Sequence, residues 1–218
     1  KSEKAQPKLK SVDTLESNKL IIKYDTNSGE LLYSELKDYA VDLGSDEKII
    51  ILDYEKKKYS ATSNIQLLNT DIYPVYNKKN SSRINTVVLE STNIAGVTLT
   101  KEITLLDDTH QIAIRNTIKN NSTKSIDVRN YETISRDDNN TASIMLPTYT
   151  GSAYYDEENK FSKLSFEDII DNSQTVKTQS SWISMIEHYF FSAWLPTSSN
   201  KKTIYTSHNQ DIYTIGSS

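Results

Sequence analysis

The sequence predicts an all-β domain built as one large antiparallel sandwich. Three observations carry this. At least ten short runs are rich in β-branched and aromatic residues and bounded by Asn, Asp, Ser and Gly. Helical periodicity is almost absent, and a chain of many strands packs sheet on sheet. Both tryptophans, with much of the aromatic bulk, fall in Trp182–Pro196. Rings bury more apolar area than other side chains, so this stretch should run through the core.

The elements follow in order. Residues 1–18 are polar, lysine-rich and aperiodic, and read as a flexible tether. The domain is expected to occupy 19–218. Lys19–Tyr24 and Glu30–Leu36 read as strands around the turn Asp25-Thr-Asn-Ser-Gly29, where Asn and Gly tolerate positive φ. A calcium loop starting at Asp25 is excluded, because its sixth and twelfth positions hold Glu30 and Leu36 instead of Gly and Glu. Ile49–Tyr54 reads as a buried strand and Glu55–Lys58 as an exposed turn. Asn64–Asn69 and Tyr73–Tyr76 are weaker strands, and 77–85 is a polar loop. Thr86–Glu90, Val97–Leu106 and His110–Lys119 form the clearest meander, with Ile112, Ile114 and Ile118 on one face. Ser125–Arg136 continues the sheet, and Ser143–Leu146 is a short strand.

Tyr149–Gln179 is long and alternates poorly. Glu167–Ile170 reads as a helical turn with Ser165 as its cap. In the ring-rich stretch, Trp182, Met185, Ile186, Tyr189, Phe190 and Ala193 sit at helical spacing. The β-branched content and Pro196 favour strands instead. The reading is one strand over Trp182–Ile186, a kink near Glu187-His188, and a continuation over Tyr189–Leu195. Thr203–Ser207 and Asp211–Ile215 form a hairpin around His208-Asn-Gln210.

Length and charge narrow the function. A chain of 218 residues suits one domain with a self-sufficient core. A net charge of -4 argues against a nucleic-acid partner and gives no attraction to anionic lipid. With no cysteine there is no disulfide, thiol nucleophile or Cys-ligated zinc. No apolar run approaches the roughly 20 residues needed to cross a bilayer.

Catalytic signals are sparse. His110, His188 and His208 show no spacing that converges on a carboxylate. No phosphate loop, dinucleotide fingerprint or paired-histidine motif is present, so no catalytic, metal or cofactor site is expected. Tyr149, Tyr154, Tyr155, Phe161 and Phe166 cluster in the non-alternating middle, beside Asp156-Glu-Glu158. Aromatics with an acidic rim suit a partner-binding surface, while the same rings could close a sheet face.

The run Trp182, Tyr189-Phe190, Ala193 and Pro196 resembles the W…YF..A..P signature of the large periplasmic domain of the YidC membrane protein insertase family. Tyr149-Thr-Gly151-Ser-Ala153, followed by Lys163 and Phe166, is similar to that family's FxGxA…K…F stretch. Val97–Leu105, Ile112–Ile118 and the Asn120-Asn-Ser122 loop match in order. Ser180-Ser181 departs from it, standing where the family has glycines. The resemblance implies the galactose-mutarotase-like β-supersandwich fold, with C-terminal strands and a helix lying beyond this sequence. It implies a domain on the periplasmic face of the bacterial inner membrane, its membrane helices outside this chain. The implied role is docking and chaperone-like, without a cofactor. It assists insertion and folding of nascent membrane proteins, with or without the Sec translocon, and SecD–SecF is the implied partner. The competing readings are a mutarotase-like aldose epimerase and a carbohydrate-binding module.

Overall fold

The computed structural model describes residues 11–68, 70, 72–94, 96–139, 148–179, 181–195 and 201–218. These form seventeen strands and two short helices. The strands are β1 Val12–Glu16, β2 Leu20–Asp25, β3 Leu31–Ala40, β4 Lys48–Asp53, β5 Ser60–Leu67, β6 Asn77–Lys79, β7 Thr86–Ile94, β8 Val97–Leu105 and β9 Ile112–Asn120. They continue as β10 Val128–Asp137, β11 Thr150–Asp156, β12 Lys160–Leu164, β13 Thr175–Thr178, β14 Trp182–Glu187, β15 Phe190–Trp194, β16 Lys202–Asn209 and β17 Ile212–Ser217. Helix α1 spans Tyr54–Lys57 and α2 spans Phe166–Asp171.

Every described pairing is antiparallel. The large sheet runs β1-β2-β3-β5-β10-β17-β16-β13, and β4 pairs β3 beside that path. Two four-stranded sheets, β12-β11-β14-β15 and β6-β7-β8-β9, complete the fold. A single cluster of buried side chains joins all three, from Ile22 and Tyr24 through Leu89, Leu99 and Ile103 to Ile183, Met185 and Ile215. The all-β sandwich expected from the sequence is the fold observed.

Local chemistry accounts for the corners. Asp25 accepts a bond from Asn27 N, and Gly29 closes the turn at φ +70. Ser165 and Asp168 form a reciprocal capping box on α2, as Ser165 promised. The charge run after β4 is not a plain turn. Asp53 accepts from Lys56 N at 3.0 Å, and one helical turn forms.

Other expectations are corrected. Within the tether assigned to 1–18, Val12–Glu16 is instead a strand registered against β2 from Asp25 to Ile21, and residues 1–10 lie outside the described residues. Its alternation of Val12, Thr14 and Glu16 outward was too polar to signal a strand. Residues 73–76 form no strand; Tyr76 is buried alone, its hydroxyl donating to Asn64 Oδ1 at 3.0 Å. The polar loop after it holds β6. Tyr189–Leu195 does not continue the preceding strand. The chain reverses at His188-Tyr189 and β15 returns along β14, Glu187 opposite Phe190. His188 takes φ 54 to make that reversal. The tryptophans are half-buried, and the true core residues of this hairpin are Ile183 and Met185, both 0% exposed. Ser143–Leu146, Ser180 and Pro196 lie outside the described residues.

One core residue is a lysine. Strand β8 buries every second side chain, Val97, Leu99, Lys101, Ile103 and Leu105. Lys101 therefore faces inward by register alone. Its Nζ donates to Ser28 O at 2.7 Å and stands 5.1 Å from the Tyr76 ring centroid. A Cβ on Gly29 would come within 2.5 Å of its Cδ, so the β2–β3 turn is fitted around this side chain.

Burial pushes the Lys101 ammonium down to about 7, against smaller opposing pulls from Glu30 and Asp25. The unfolded chain then binds more protons than the folded one between that value and 10.5. Stability consequently rises with pH across this window, by up to about 1.4 kcal/mol per pH unit. Above the ordinary tyrosine range the sign reverses, since burial raises Tyr24, Tyr59 and Tyr76 and keeps them neutral only when folded. Urea unfolding should show stability climbing from pH 7 to 10, and Lys101→Met should flatten that climb. An unchanged slope in the variant would place the effect elsewhere.

Candidate functional site

The five rings singled out in the sequence do not form one surface. The β11 pleat separates them: Tyr154 lies in the core beside Ile183, and Tyr155 faces the other way. On that outer face Tyr155 stacks on Trp182 with centroids 6.3 Å apart, and Phe161 approaches Trp182 at 5.7 Å. Register explains the ladder, because Tyr155 sits opposite both Phe161 and Trp182. Phe161 is 48% exposed. Tyr149 is a fastener instead: its hydroxyl donates to Ser152 O at 2.6 Å and Leu164 O at 2.9 Å. Gly151 leaves room for it, since a Cβ there would lie 2.6 Å from the Tyr149 oxygen. Phe166 belongs to a third place, stacked on Tyr213 at 4.4 Å.

The neighbouring acids are also engaged. Asp156 is buried and accepts from Glu158 N and Asn159 N, each at 2.7 Å, closing the β11–β12 turn. Those backbone donors hold its carboxyl below the usual range against the opposing effect of desolvation. Glu157 accepts from Thr178 Oγ1 at 2.5 Å.

Two of the signature residues, Tyr189 and Phe190, line a different feature. A groove of about 550 Å³ opens between β4 and the β14–β15 turn. Ile49, Ile50 and Ile51 line one wall, with His188, Tyr189, Phe190 and Phe191 on the other. Its rim is apolar and wet: Tyr189 is 79% exposed, Phe191 66% and Val41 46%. Phe190 packs inward and meets Tyr39 edge-on at 5.8 Å. Ala193 sits opposite Ser184, half-buried. Trp194 anchors β15 to the large sheet, its Nε1 donating to Thr133 O at 3.0 Å.

A charged cluster forms the floor. Arg136 is fully buried, 5.2 Å from the Tyr59 ring centroid and 5.9 Å from that of Phe166. Its Nη1 lies 3.2 Å from Glu187 Oε2, and Lys57 Nζ reaches Glu187 Oε1 at 2.5 Å. Tyr59 donates to Met185 O at 3.2 Å and lies 2.8 Å from Ser192 Oγ. No local pattern announces this cluster. Arg136 reads only as a strand end, and its partners are supplied by the α1–β5 connection, α2 and β14.

The histidines have separate surroundings. His188 Nδ1 and Thr148 Oγ1 are 2.5 Å apart, His208 stacks on Tyr213 at 4.8 Å, and His110 lies 3.8 Å from Asp38. Among the described residues no group of three metal-ligating side chains forms, and no helix is long and apolar enough to cross a membrane.

Fold and groove together define a β-sandwich domain of galactose-mutarotase-like architecture with an apolar cleft at one sheet edge. The crystal structure of a galactose mutarotase-like protein from Lactobacillus casei ATCC 334 superposes with a TM-score of 0.54 over 94% of this chain and 87% of that one. At 10% identity it speaks to the fold alone. The chain belongs to the YidC periplasmic domain family, whose profile matches residues 14–218. It is 28% identical over 214 residues to the membrane protein insertase YidC of Haemophilus ducreyi, covering 93% of this chain and 40% of that protein. It is 29% identical to that of Actinobacillus pleuropneumoniae serotype 7, with the same coverage, and 27% to that of Shewanella halifaxensis, covering 95% and 41%. The chain thus spans about two fifths of the length of these relatives.

Two stability measurements follow from this geometry. Glu187→Ala strands the buried Arg136 and should cost about 3 kcal/mol, the low end for breaking a buried pair because Glu187 is partly wet. Tyr154→Ser should lower the melting temperature sharply, as large-to-small core changes do, while Tyr155→Ser should cost about 1 kcal/mol. Equal losses in the two tyrosine variants would contradict their opposite facing.

Proposed function

We propose that this chain is a docking module of a membrane protein insertase, held on the periplasmic face of the inner membrane. It binds proteins and catalyses no reaction. Its partners are the SecD–SecF complex of the Sec translocon and nascent membrane proteins, whose insertion and folding it assists. The observation that carries the reading is the groove between β4 and β15, with wet aromatic and aliphatic side chains along its rim. Exposed apolar patches of this kind mark interaction sites. Family membership and the insertase names of the relatives support it.

The ladder of Phe161, Tyr155 and Trp182 is a second contact surface, favoured by the exposure of Phe161. The epimerase reading draws support only from fold. Acid–base work on a sugar needs groups converging on one face, whereas the three histidines engage Thr148, Tyr213 and Asp38 in turn.

A photo-crosslinking amino acid placed at Phe191 or at Phe161 in the full-length insertase tests this in inner-membrane vesicles. Adducts with SecD–SecF or an arrested nascent chain are expected at 191, with fewer at 161. Adducts at neither position would refute the docking reading. Polarimetric assay of glucose and galactose mutarotation should match the buffer rate, and a clear acceleration lost in His188→Ala would restore the enzyme.

A further inference from the structure

We propose that the free edge of β4 takes up an extended, apolar polypeptide segment as an added strand, with a carboxylate at its α1 end. The proposal rests on the docking reading and gives that groove a partner chemistry. Among the described residues β4 pairs with β3 alone, lying beside the main path of its sheet, and β15 is the terminal strand of the sheet opposite. Two strand edges therefore flank one cleft of about 550 Å³.

An unpaired edge presents a row of backbone donors and acceptors repeating about every 3.3 Å per residue. Another extended backbone matches that row, whereas a sugar ring or a packed helix does not. Sheet edges that must stay empty are blunted by proline, by inward charges or by mid-strand lysines. β4 carries none of these in its centre, which reads Ile49-Ile-Ile-Leu52. Its three isoleucines are half-buried on their own. Phe191 stands across the cleft with its ring 66% exposed, where it can cover a side chain of a guest strand, while Phe190 packs inward behind it.

The charges set its polarity. At the α1 end, the Asp53 carboxylate is occupied by Lys56 N at 3.0 Å, and Glu187 is held by Lys57 and Arg136. The Lys56 ammonium is exposed and makes no ion pair among the described residues. Glu47 and Lys48 sit together at the other end of β4, offsetting each other. The cleft therefore favours a guest that is apolar along its length and acidic beside Lys56.

The test uses the 218-residue chain. A fluorescein-labelled peptide of about eight residues, alternating valine and threonine and ending in two glutamates, is titrated by anisotropy. A Kd on the order of 10 µM is expected, in keeping with small transient contacts. Methylating alternate backbone nitrogens of the peptide should weaken binding at least about ten-fold, as should Phe191→Ser, a variant whose melting temperature should hold because the ring is exposed. Lys56→Glu should weaken the glutamate peptide and favour one ending in lysines. Equal affinity for the methylated peptide, or no binding of the unmodified one, overturns strand addition. Dimers of the chain that Phe191→Ser dissolves would assign the edge to a second copy and also overturn it. Crosslinks retained at 191 alongside any such failure would leave the docking reading standing; loss of both would remove it.

Discussion

The interaction on which this architecture turns is the burial of Arg136 between two sheets. The guanidinium comes from β10 at the centre of the nine-stranded sheet, and its carboxylate partner Glu187 comes from the end of β14 in the opposing one. A fully buried cation is tolerable only when charge and rings surround it. Tyr59, Phe166 and Glu187 do this, and each comes from a different part of the chain. The seam is further pinned by Tyr59 to the β14–β15 hairpin and by Trp194 to Thr133. These contacts are polar and directional, so they fix how the hairpin lies in a way that apolar packing alone would not.

The cleft is a consequence of that placement. With Glu187 drawn down to Arg136, the reversal at His188-Tyr189 projects beyond the core, and its rings meet water beside β4. β4 is displaced from the main sheet because β3 hands its pairing from β4 to β5, touching β5 only at Leu31 and Ala61. Helix α1, capped by Asp53, makes that transfer and delivers Lys57 to Glu187. A structural ion pair and the cleft thus share residues, Lys57 and Glu187. Lys101 serves the other flank, filling the space under the β2–β3 turn that joins the meander to the large sheet.

Much of this was legible in the sequence. The all-β class follows from period-two alternation, visible in Val97–Leu105 residue by residue. The Ser165 cap and the Asp25–Gly29 turn follow from chemistry confined to a few neighbouring residues. The Trp-Tyr-Phe-Ala run announced the family although its strands were joined wrongly: a tight reversal at His188 leaves no glycine or Asn-Gly mark. What the sequence could not order was anything set by long-range register. Tyr154 and Tyr155 are alike in sequence and opposite in role, since the pleat decides which faces the core. Three consecutive isoleucines read as a buried strand, yet only the split pairing of β3 makes β4 an edge. Arg136 and Lys101 look like surface cations because local composition carries no record of the partners that surround them. Strand class and turns are local properties and the sequence determined them; edge, cleft and buried charge depend on which strands meet, and only the tertiary structure decided that.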